Sequence, residues 1–326
     1  MATTKTEIKK TQNLKYMKAV FLDRYSICGR DTSAIAKLCD DYTEYDYTRP
    51  EEVVERCRGA EIVITNKVVF NAQTMDALPS LKLICIAATG MNNVDLNAAA
   101  ERGITVRNAV GYSTYSVAET TLCSALSLLR EVVYYDRFFK SGDWAASGRM
   151  FNFDRPTAQI RGKKWGIIGL GNIGREVARL AEAFGCEVCY CSTSGTVRKE
   201  DYPAVTLEEL LERSDVVSIH CPLNDRTKGL IGSRELRMMK PTAILINVAR
   251  GGIVDEEALA EALDNKTIRA AASDVFTSEP LAESPLLHLK DHYRFLASPH
   301  NAWSTVEAID RLIACIAENI KLGIRN

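Results

Sequence analysis

Three residue types in this chain could together work on a carbonyl that lies beside a carboxylate: Arg250 in NVARGGIVDE, Glu279 in SDVFTSEP and His300 in SPHNAW. A planar guanidinium forks onto a carboxylate and stays charged at any working pH. An imidazole, with an unperturbed pKa of about 6.5, can give or take a proton near neutrality. A carboxylate on the far ring nitrogen fixes the tautomer and favours the protonated ring. Such a set could bind a 2-oxo acid, stabilise charge on its carbonyl oxygen and protonate the developing alkoxide. Singly, each residue has a plainer reading: a helix-cap arginine, a turn glutamate before Pro280, a loop histidine after Pro299.

The turn is WGIIGLGNIG, with Gly169, Gly171 and Gly174. The first glycine allows a tight strand-to-helix turn, the second lets backbone approach a pyrophosphate, and the third lets helix pack on strand. Asn172, Ile173 and Gly174 open the helix, whose N–H groups and dipole favour phosphate. The motif follows an expected strand and opens an expected helix, which is its confirming context. NAD enzymes place Asp or Glu about 20 residues on, for the ribose hydroxyls. Here that position is Cys191, in YCSTSG, with no carboxylate to repel a 2′-phosphate. Ser192, Thr193 and Ser194 offer hydroxyls, and Arg198 and Lys199 lie just beyond. The cofactor is therefore expected to be NADP or NAD, with a slight lean to NADP.

Alternating apolar strands and helical patterns predict an α/β chain with parallel sheets. AVFLD, EIVIT, LKLICIAA and ITVRN read as strands. DTSAIAKLCD (Asp31 as cap), RPEEVVERCRGA (Pro50 in the first turn) and DLNAAAERG (closed by Gly103) read as helices. One helical stretch is expected from about Ser113 to Lys140, too apolar for one exposed face and so buried against both domains or a second subunit. A loop-rich segment, SGDWAASGRMFNFDRPTAQI, follows. The second α/β unit reads KKWGIIGL, CEVCYC, DVVSIH, AILINVA and IRAAASDV as strands. Helices lie between them, including TLEELLERS with a capping box from Thr206 to Glu209. A last helix spans about Ser304 to Leu322.

With 326 residues the chain is long enough for two cores. Charged residues make up 25% and the net charge is −1, neither of which points to nucleic acid or a membrane surface. No apolar run approaches the roughly 18 residues of a membrane span. Residues 1–16 are polar and read as a disordered lead-in without a signal peptide. The ten cysteines include Cys186, Cys189 and Cys191, whose GCEVCYC setting reads as a buried strand. No second CxxC or nearby His completes a metal site, so no metal is expected. Cys123 and Cys315 read as small hydrophobes in apolar helices. Unpaired thiols imply a reducing compartment, the cytoplasm.

The motifs GMNNVD, NAVGYSTYSVAE, GLGNIG, HCPLNDRTKGLI, INVARGGIVDEEAL, SDVFTSEP and SPHNAW resemble those of the D-isomer-specific 2-hydroxyacid dehydrogenases, from about Met17 to the C-terminus. GYSTYSVAE, STSG and HNAW look most like its glycerate dehydrogenases, which act as hydroxypyruvate or glyoxylate reductases. The resemblance implies NAD(P)-dependent interconversion of a small 2-oxo acid and its D-2-hydroxy acid, with Arg250, Glu279 and His300 catalytic. It implies two Rossmann-like parallel-sheet domains, the first discontinuous and closed by the C-terminal helix. Residues 17–112 with 299–326 would bind substrate, and 113–298 the dinucleotide. Asp274 and backbone around Val248 and Ala249 would hold the nicotinamide carboxamide. His220, Pro222 and Thr227 would line the adenosine and pyrophosphate side, and N–H groups around Thr89 and Gly90 would take the substrate carboxylate. The site would lie in an interdomain cleft that closes by a hinge, and the chain would form a homodimer through its dinucleotide domain.

In some relatives a Trp reaches the partner's active site. Trp144 lies in the matching region and Trp303 follows the histidine, although interface packing is the preferred reading of Trp144. Met91, Phe151 and Phe153 could line a pocket for a larger oxo acid. The chain leaves no room for the regulatory domain of many phosphoglycerate dehydrogenases. Formate or phosphite oxidation on the same scaffold, or a dinucleotide-sensing co-repressor, stand as alternatives.

Overall fold

The computed structural model describes residues 17–195 and 200–324, so the lead-in, Arg198 and Lys199 lie outside the described residues. The chain divides into two compact units: residues up to Tyr112 together with Val306 onward, and Ser113–Thr305. The second unit ends at Thr305, so His300 falls in the same unit as Arg250 and Glu279.

The first unit begins β1 (Lys18–Phe21), α1 (Ser33–Ala36), β2 (Asp41–Glu44), α2 (Val53–Arg56) and β3 (Ile62–Thr65). It continues α3 (Ala72–Asp76), β4 (Leu83–Ile86), α4 (Leu96–Glu101) and β5 (Thr105–Asn108). The strands form one parallel sheet in the order β2-β1-β3-β4-β5. β3 and β4 are buried along their whole length, in keeping with the apolar runs IVI and LICI, and Thr65 is buried with them. β2 was not expected: DYTE is a half-buried edge strand with no apolar run. Helix α1 is much shorter than DTSAIAKLCD, and its N-cap is Thr32 rather than the expected Asp31, whose carboxylate accepts Ser33 N at 2.9 Å from one position earlier.

The second unit opens with α5 (Thr114–Arg130), α6 (Val132–Lys140) and α7 (Asp143–Ser147). The single long helix expected here is broken at Glu131, which takes a left-handed backbone (φ 52°). The Glu131 carboxylate pairs with Arg155 Nε at 2.6 Å and Arg269 Nη2 at 3.2 Å, contacts that hold the break without glycine or proline. α5 buries Val117, Ala118, Ala125 and Leu129, whereas α6 buries nothing. Cys123 is exposed on α5 and lines a cavity there, contrary to its expected packing role. α7 occupies a segment expected to be loop.

The unit continues β6 (Lys164–Ile168), α8 (Asn172–Ala183), β7 (Glu187–Cys191), α9 (Leu207–Arg213) and β8 (Val216–Ile219). Then come α10 (Ser233–Met238), β9 (Ile244–Asn247), α11 (Glu256–Asp264), β10 (Ala270–Ser273) and β11 (Phe295–Ala297), a short strand that was not expected. These form a second parallel sheet, ordered β11-β10-β9-β8-β6-β7. Thr206 accepts Glu209 N at 3.1 Å, half of the expected capping box, while the Glu209 carboxylate pairs with Arg213. The cysteines are unpaired, and Cys189 and Cys191 pack on the core.

Finally α12 (Val306–Ile324) rejoins the first unit, making it discontinuous as expected. Its Ile309, Leu312, Ile316 and Ile320 are buried. Arg311 Nε donates to Tyr112 O at 2.9 Å, Asn319 Nδ2 to Asn108 O at 3.0 Å, and Arg30 forks onto Asp310 at 2.8 and 2.7 Å. Among the described residues no helix is long and apolar enough to cross a membrane, and no cluster of His, Cys, Asp or Glu could hold a metal ion.

Candidate active site

Strand register in the second unit sets out the site. Cys191, Ile168, Ile219, Asn247, Ser273 and Ala297 are paired across neighbouring strands. The next residue on each strand is therefore Ser192, Gly169, His220, Val248, Asp274 or Ser298, all on the C-terminal edge. Ligands of doubly wound sheets bind at this edge, where the strand order reverses. The reversal lies at β6, with β7 on one side and β8 on the other.

The three glycines of the turn meet different constraints. Gly169 has φ +93°, and a Cβ there would stand 2.8 Å from Cys221 N. A Cβ on Gly174 would meet Gly169 O at 2.4 Å. Gly171 has open space around it, and no side chain caps α8. The first-turn N–H groups behind Gly171 are thus presented to whatever approaches, a cradle that fits a dinucleotide pyrophosphate. Gly171→Ala should leave thermal stability within about 0.5 kcal/mol, since the backbone there is extended. The added methyl should raise the dinucleotide Kd about 10- to 100-fold by fluorescence titration. Unchanged affinity would remove this role.

His220 supplies a second point of fit. Trp165 Nε1 donates to Ser218 Oγ at 2.9 Å, and Ser218 Oγ lies 2.9 Å from His220 Nε2. The indole is a fixed donor, so Ser218 Oγ accepts from it while sharing a proton with His220 Nε2. Nδ1 is buried and has no hydrogen-bond partner among the described residues. Burial pushes the imidazole pKa down to about 3. The unfolded chain therefore binds a proton that the fold excludes between about pH 6.5 and pH 3. Stability is whole above that window and should fall with pH by up to about 1.4 kcal/mol per unit inside it. Urea melts at pH 7, 6 and 5 should show a shallower slope in His220→Gln; equal slopes would reject the assignment.

Other expected cofactor residues serve the fold around them. Thr227 is wholly buried, and its hydroxyl donates to Pro222 O at 2.6 Å and accepts Asn224 N at 2.8 Å. It shapes the loop that presents Pro222. Glu200 is bidentate to Arg175, at 3.0 and 2.5 Å. Ser192 and Ser194 present hydroxyls 3.1 Å apart, and Thr193 lies between them. Val248 and Asp274 line a cavity of about 360 Å³ with Ser116, Thr120 and Ser298.

The three expected catalytic residues sit on segments knitted together by backbone. Past β9, Asn247 accepts Ala249 N at 3.1 Å and donates to Arg250 O at 3.0 Å, fixing the turn that displays Arg250. Arg250 Nη1 is braced on Ala249 O at 2.6 Å. Gly251 packs so closely on the next segment that a Cβ would fall 1.8 Å from Phe276 O. Phe276 N donates to Glu279 Oε1 at 2.9 Å, and Glu279 Oε2 lies 2.6 Å from His300 Nδ1. His300 Nε2 makes no hydrogen bond among the described residues, and the ring is 26% exposed.

His300 has a left-handed backbone (φ 52°), and its N–H donates to Asp274 O at 2.8 Å. The buried Asp274 carboxylate accepts Ser298 Oγ at 2.5 Å and the N–H groups of Asn301 and Ala302, both at 3.0 Å. Burial, the largest influence on it, raises its pKa above the usual carboxylate value. Trp303 Nε1 donates to His300 O at 2.8 Å, and Ser116 Oγ to Ala302 O at 2.5 Å. Asp274 thus clamps the histidine loop, a role the sequence reading did not assign. Ser116, Asn247, Gly251 and Ser298 were likewise not singled out.

Thr89 and Gly90 belong to the first unit, beyond the end of β4. Thr89 Oγ1 donates to Ala109 O at 3.0 Å, and Asn108 Nδ2 donates to Thr89 O at 2.6 Å. Met91 packs on its own unit's core. Phe151 and Phe153 are exposed, with ring centroids 6.1 Å apart. Trp144 is exposed beside Phe139.

Residues 122–302 match the family model for the NAD-binding domain of D-isomer specific 2-hydroxyacid dehydrogenases. The chain is 41% identical to a glycerate dehydrogenase of Methylorubrum extorquens, over 93% of this chain and 95% of the relative. It is 32% identical to a hydroxypyruvate reductase of Blautia hydrogenotrophica, over 94% and 96%. Among solved structures, an NADPH-dependent glyoxylate/hydroxypyruvate reductase of Sinorhizobium meliloti, in complex with NADP and malonate, superimposes with a TM-score of 0.80 at 27% identity. That superposition covers 94% of this chain and 93% of the other. With a glycine turn, an open-edged sheet and a His–carboxylate pair in these places, the chain belongs to the D-isomer specific 2-hydroxyacid dehydrogenase family.

Proposed function

We propose that this NAD(P)-dependent oxidoreductase reduces hydroxypyruvate and glyoxylate, to D-glycerate and glycolate, with Arg250, Glu279 and His300 as its catalytic residues. The carrying observation is the 2.6 Å contact between His300 Nδ1 and Glu279, which leaves Nε2 to face a substrate. When bound, the reduced nicotinamide supplies the hydride. Arg250 holds the substrate carboxylate and stabilises charge on the carbonyl oxygen. His300 gives its Nε2 proton to that oxygen, while Glu279 keeps the ring oriented. Thr89 and Gly90, whose N–H groups make no hydrogen bond among the described residues, are assigned to substrate binding. Hydroxypyruvate is favoured because relatives matching along nearly their whole length are named glycerate dehydrogenase and hydroxypyruvate reductase, and glyoxylate because the similar solved structure is named a glyoxylate/hydroxypyruvate reductase.

NADP is slightly preferred over NAD, because β7 ends in Cys191 and Glu200 is engaged by Arg175. Cofactor contacts are assigned to Gly169, Gly171, Asn172, Ile173, Gly174, Ser192, Thr193, Ser194, His220, Pro222, Val248, Ala249 and Asp274, with Thr227 acting through its loop. A homodimer through the second unit is supported by the exposed Val132, Val133, Phe139, Trp144, Met150 and Phe153. Light scattering that gives a monomer mass would remove it. The cytoplasm is assigned from ten unpaired thiols. The deciding assay follows reduced-nicotinamide absorbance with hydroxypyruvate, glyoxylate, pyruvate and phenylpyruvate. Fast turnover of the first two supports the proposal. Turnover of formate or phosphite alone, or dinucleotide binding without any turnover, would replace it with an alternative.

A further inference from the structure

The loops leaving β7 and β8 flank the glycine turn and touch each other. Arg226, in the loop after β8, donates from Nη1 to Ser194 O at 3.1 Å. Its own N–H is tied to Asn224 Oδ1 at 2.9 Å, so the loop that carries it is folded back on itself. A Cβ on Gly195 would stand 3.6 Å from the same Nη1. The guanidinium therefore lies across the turn that follows β7. Among the described residues it spends one of its five N–H donors there, and the side chain is exposed. The hydroxyls of Ser192 and Ser194 lie on the same turn. Glu200, a carboxylate of the stretch that follows, has its charge compensated by Arg175.

We infer that Arg226 reads the 2′-phosphate of NADP(H). The inference rests on the assignment of this sheet edge to the cofactor's adenosine, which NADH and NADPH share. A dianion on the ribose beside the 192–195 turn would meet a planar cation whose remaining donors are uncommitted among the described residues. Such a cation forks onto phosphate oxygens, and its contact with Ser194 O fixes its plane in advance. An Asp or Glu at the end of β7 would repel that dianion, and Cys191 does not. The competing role is stacking of the guanidinium on adenine, which would serve both cofactors equally.

Direct titration of the wild-type chain, Arg226→Ala and Arg226→Lys decides between these. The ligands are NADPH, NADH, adenosine 2′,5′-bisphosphate and adenosine 5′-monophosphate, read by calorimetry or intrinsic fluorescence without turnover. In Arg226→Ala the Kd for NADPH and for the bisphosphate should rise about 10- to 100-fold, as expected for lost charge-assisted hydrogen bonds, with NADH and the monophosphate unchanged. Arg226→Lys should retain part of the preference through its charge. Equal weakening of all four ligands would overturn the inference in favour of stacking or loop folding. So would unchanged NADPH binding, or a wild-type chain that holds NADH as tightly as NADPH; both leave the dehydrogenase reading intact. Failure of the wild-type chain to bind either dinucleotide would instead reject the cofactor-edge assignment itself.

Discussion

Arg250→Ala lowers kcat/KM for hydroxypyruvate by about 10²- to 10⁴-fold, the equivalent of two charge-assisted hydrogen bonds at roughly 1.5–3 kcal/mol each. The guanidinium is the one group of the proposed three that can grip the substrate carboxylate and also face charge on the carbonyl oxygen. Its brace on Ala249 O, at 2.6 Å, fixes the fork before substrate arrives. Lysine cannot replace it, because an ammonium has no fork and no fixed plane. Dinucleotide affinity should not change, since the turn is held by Asn247 and not by the arginine side chain. Steady-state kinetics beside an NADPH titration measures both quantities. A loss smaller than about tenfold, or an equal loss of cofactor binding, would contradict the assigned role.

Gly251→Ala should cost about as much activity without touching a reacting group. Its Cβ would fall 1.8 Å from Phe276 O and 2.0 Å from Phe276 C, both backbone atoms that cannot rotate away. The turn bearing Arg250 and the segment bearing Glu279 must then part by more than an ångström. Displacements of about 1 Å cost some 10²-fold in rate. Overpacking should also remove about 1–3 kcal/mol of stability. Gly252→Ala is the matched control. That glycine has no neighbour within 4 Å but has φ +78°, so alanine there brings backbone strain of about 1–2 kcal/mol without separating the segments. Melting curves and kcat for the two variants separate the effects. Equal kcat in both would show that the close contact with Phe276 does not set the geometry.

What was legible in the chain was local. The glycine turn, the buried runs IVIT and LICI, and the Arg, Glu and His motifs are each spelled by adjacent residues. The doubly wound topology follows from how they alternate. What escaped depends on distant partners. Glu131 breaks a helix because Arg155 and Arg269 hold it left-handed, and nothing near Glu131 announces this. β2 and β11 are short edge strands without an apolar run to mark them. Asp274 could be flagged as a ligand by its motif, but its grip on Ser298, Asn301 and Ala302 crosses two strands. Arg226 reads as one more surface charge until the fold brings it to Ser194. Cys123 shows the opposite error: an apolar context suggested burial for a position that is exposed at the wall of a cavity.

The place of α12 has a consequence during synthesis. The second unit is one uninterrupted stretch of chain and can fold as soon as it clears the ribosome. The first unit cannot, although most of it is made earlier: α12 supplies Ile309, Leu312, Ile316 and Ile320, and a Cβ on its Gly323 would lie 2.6 Å from Leu83. Until α12 has been made, the nascent β4–β5 face stays uncovered, a surface of the kind that recruits chaperones and misassociates. The earliest-made sheet is thus the last to be finished.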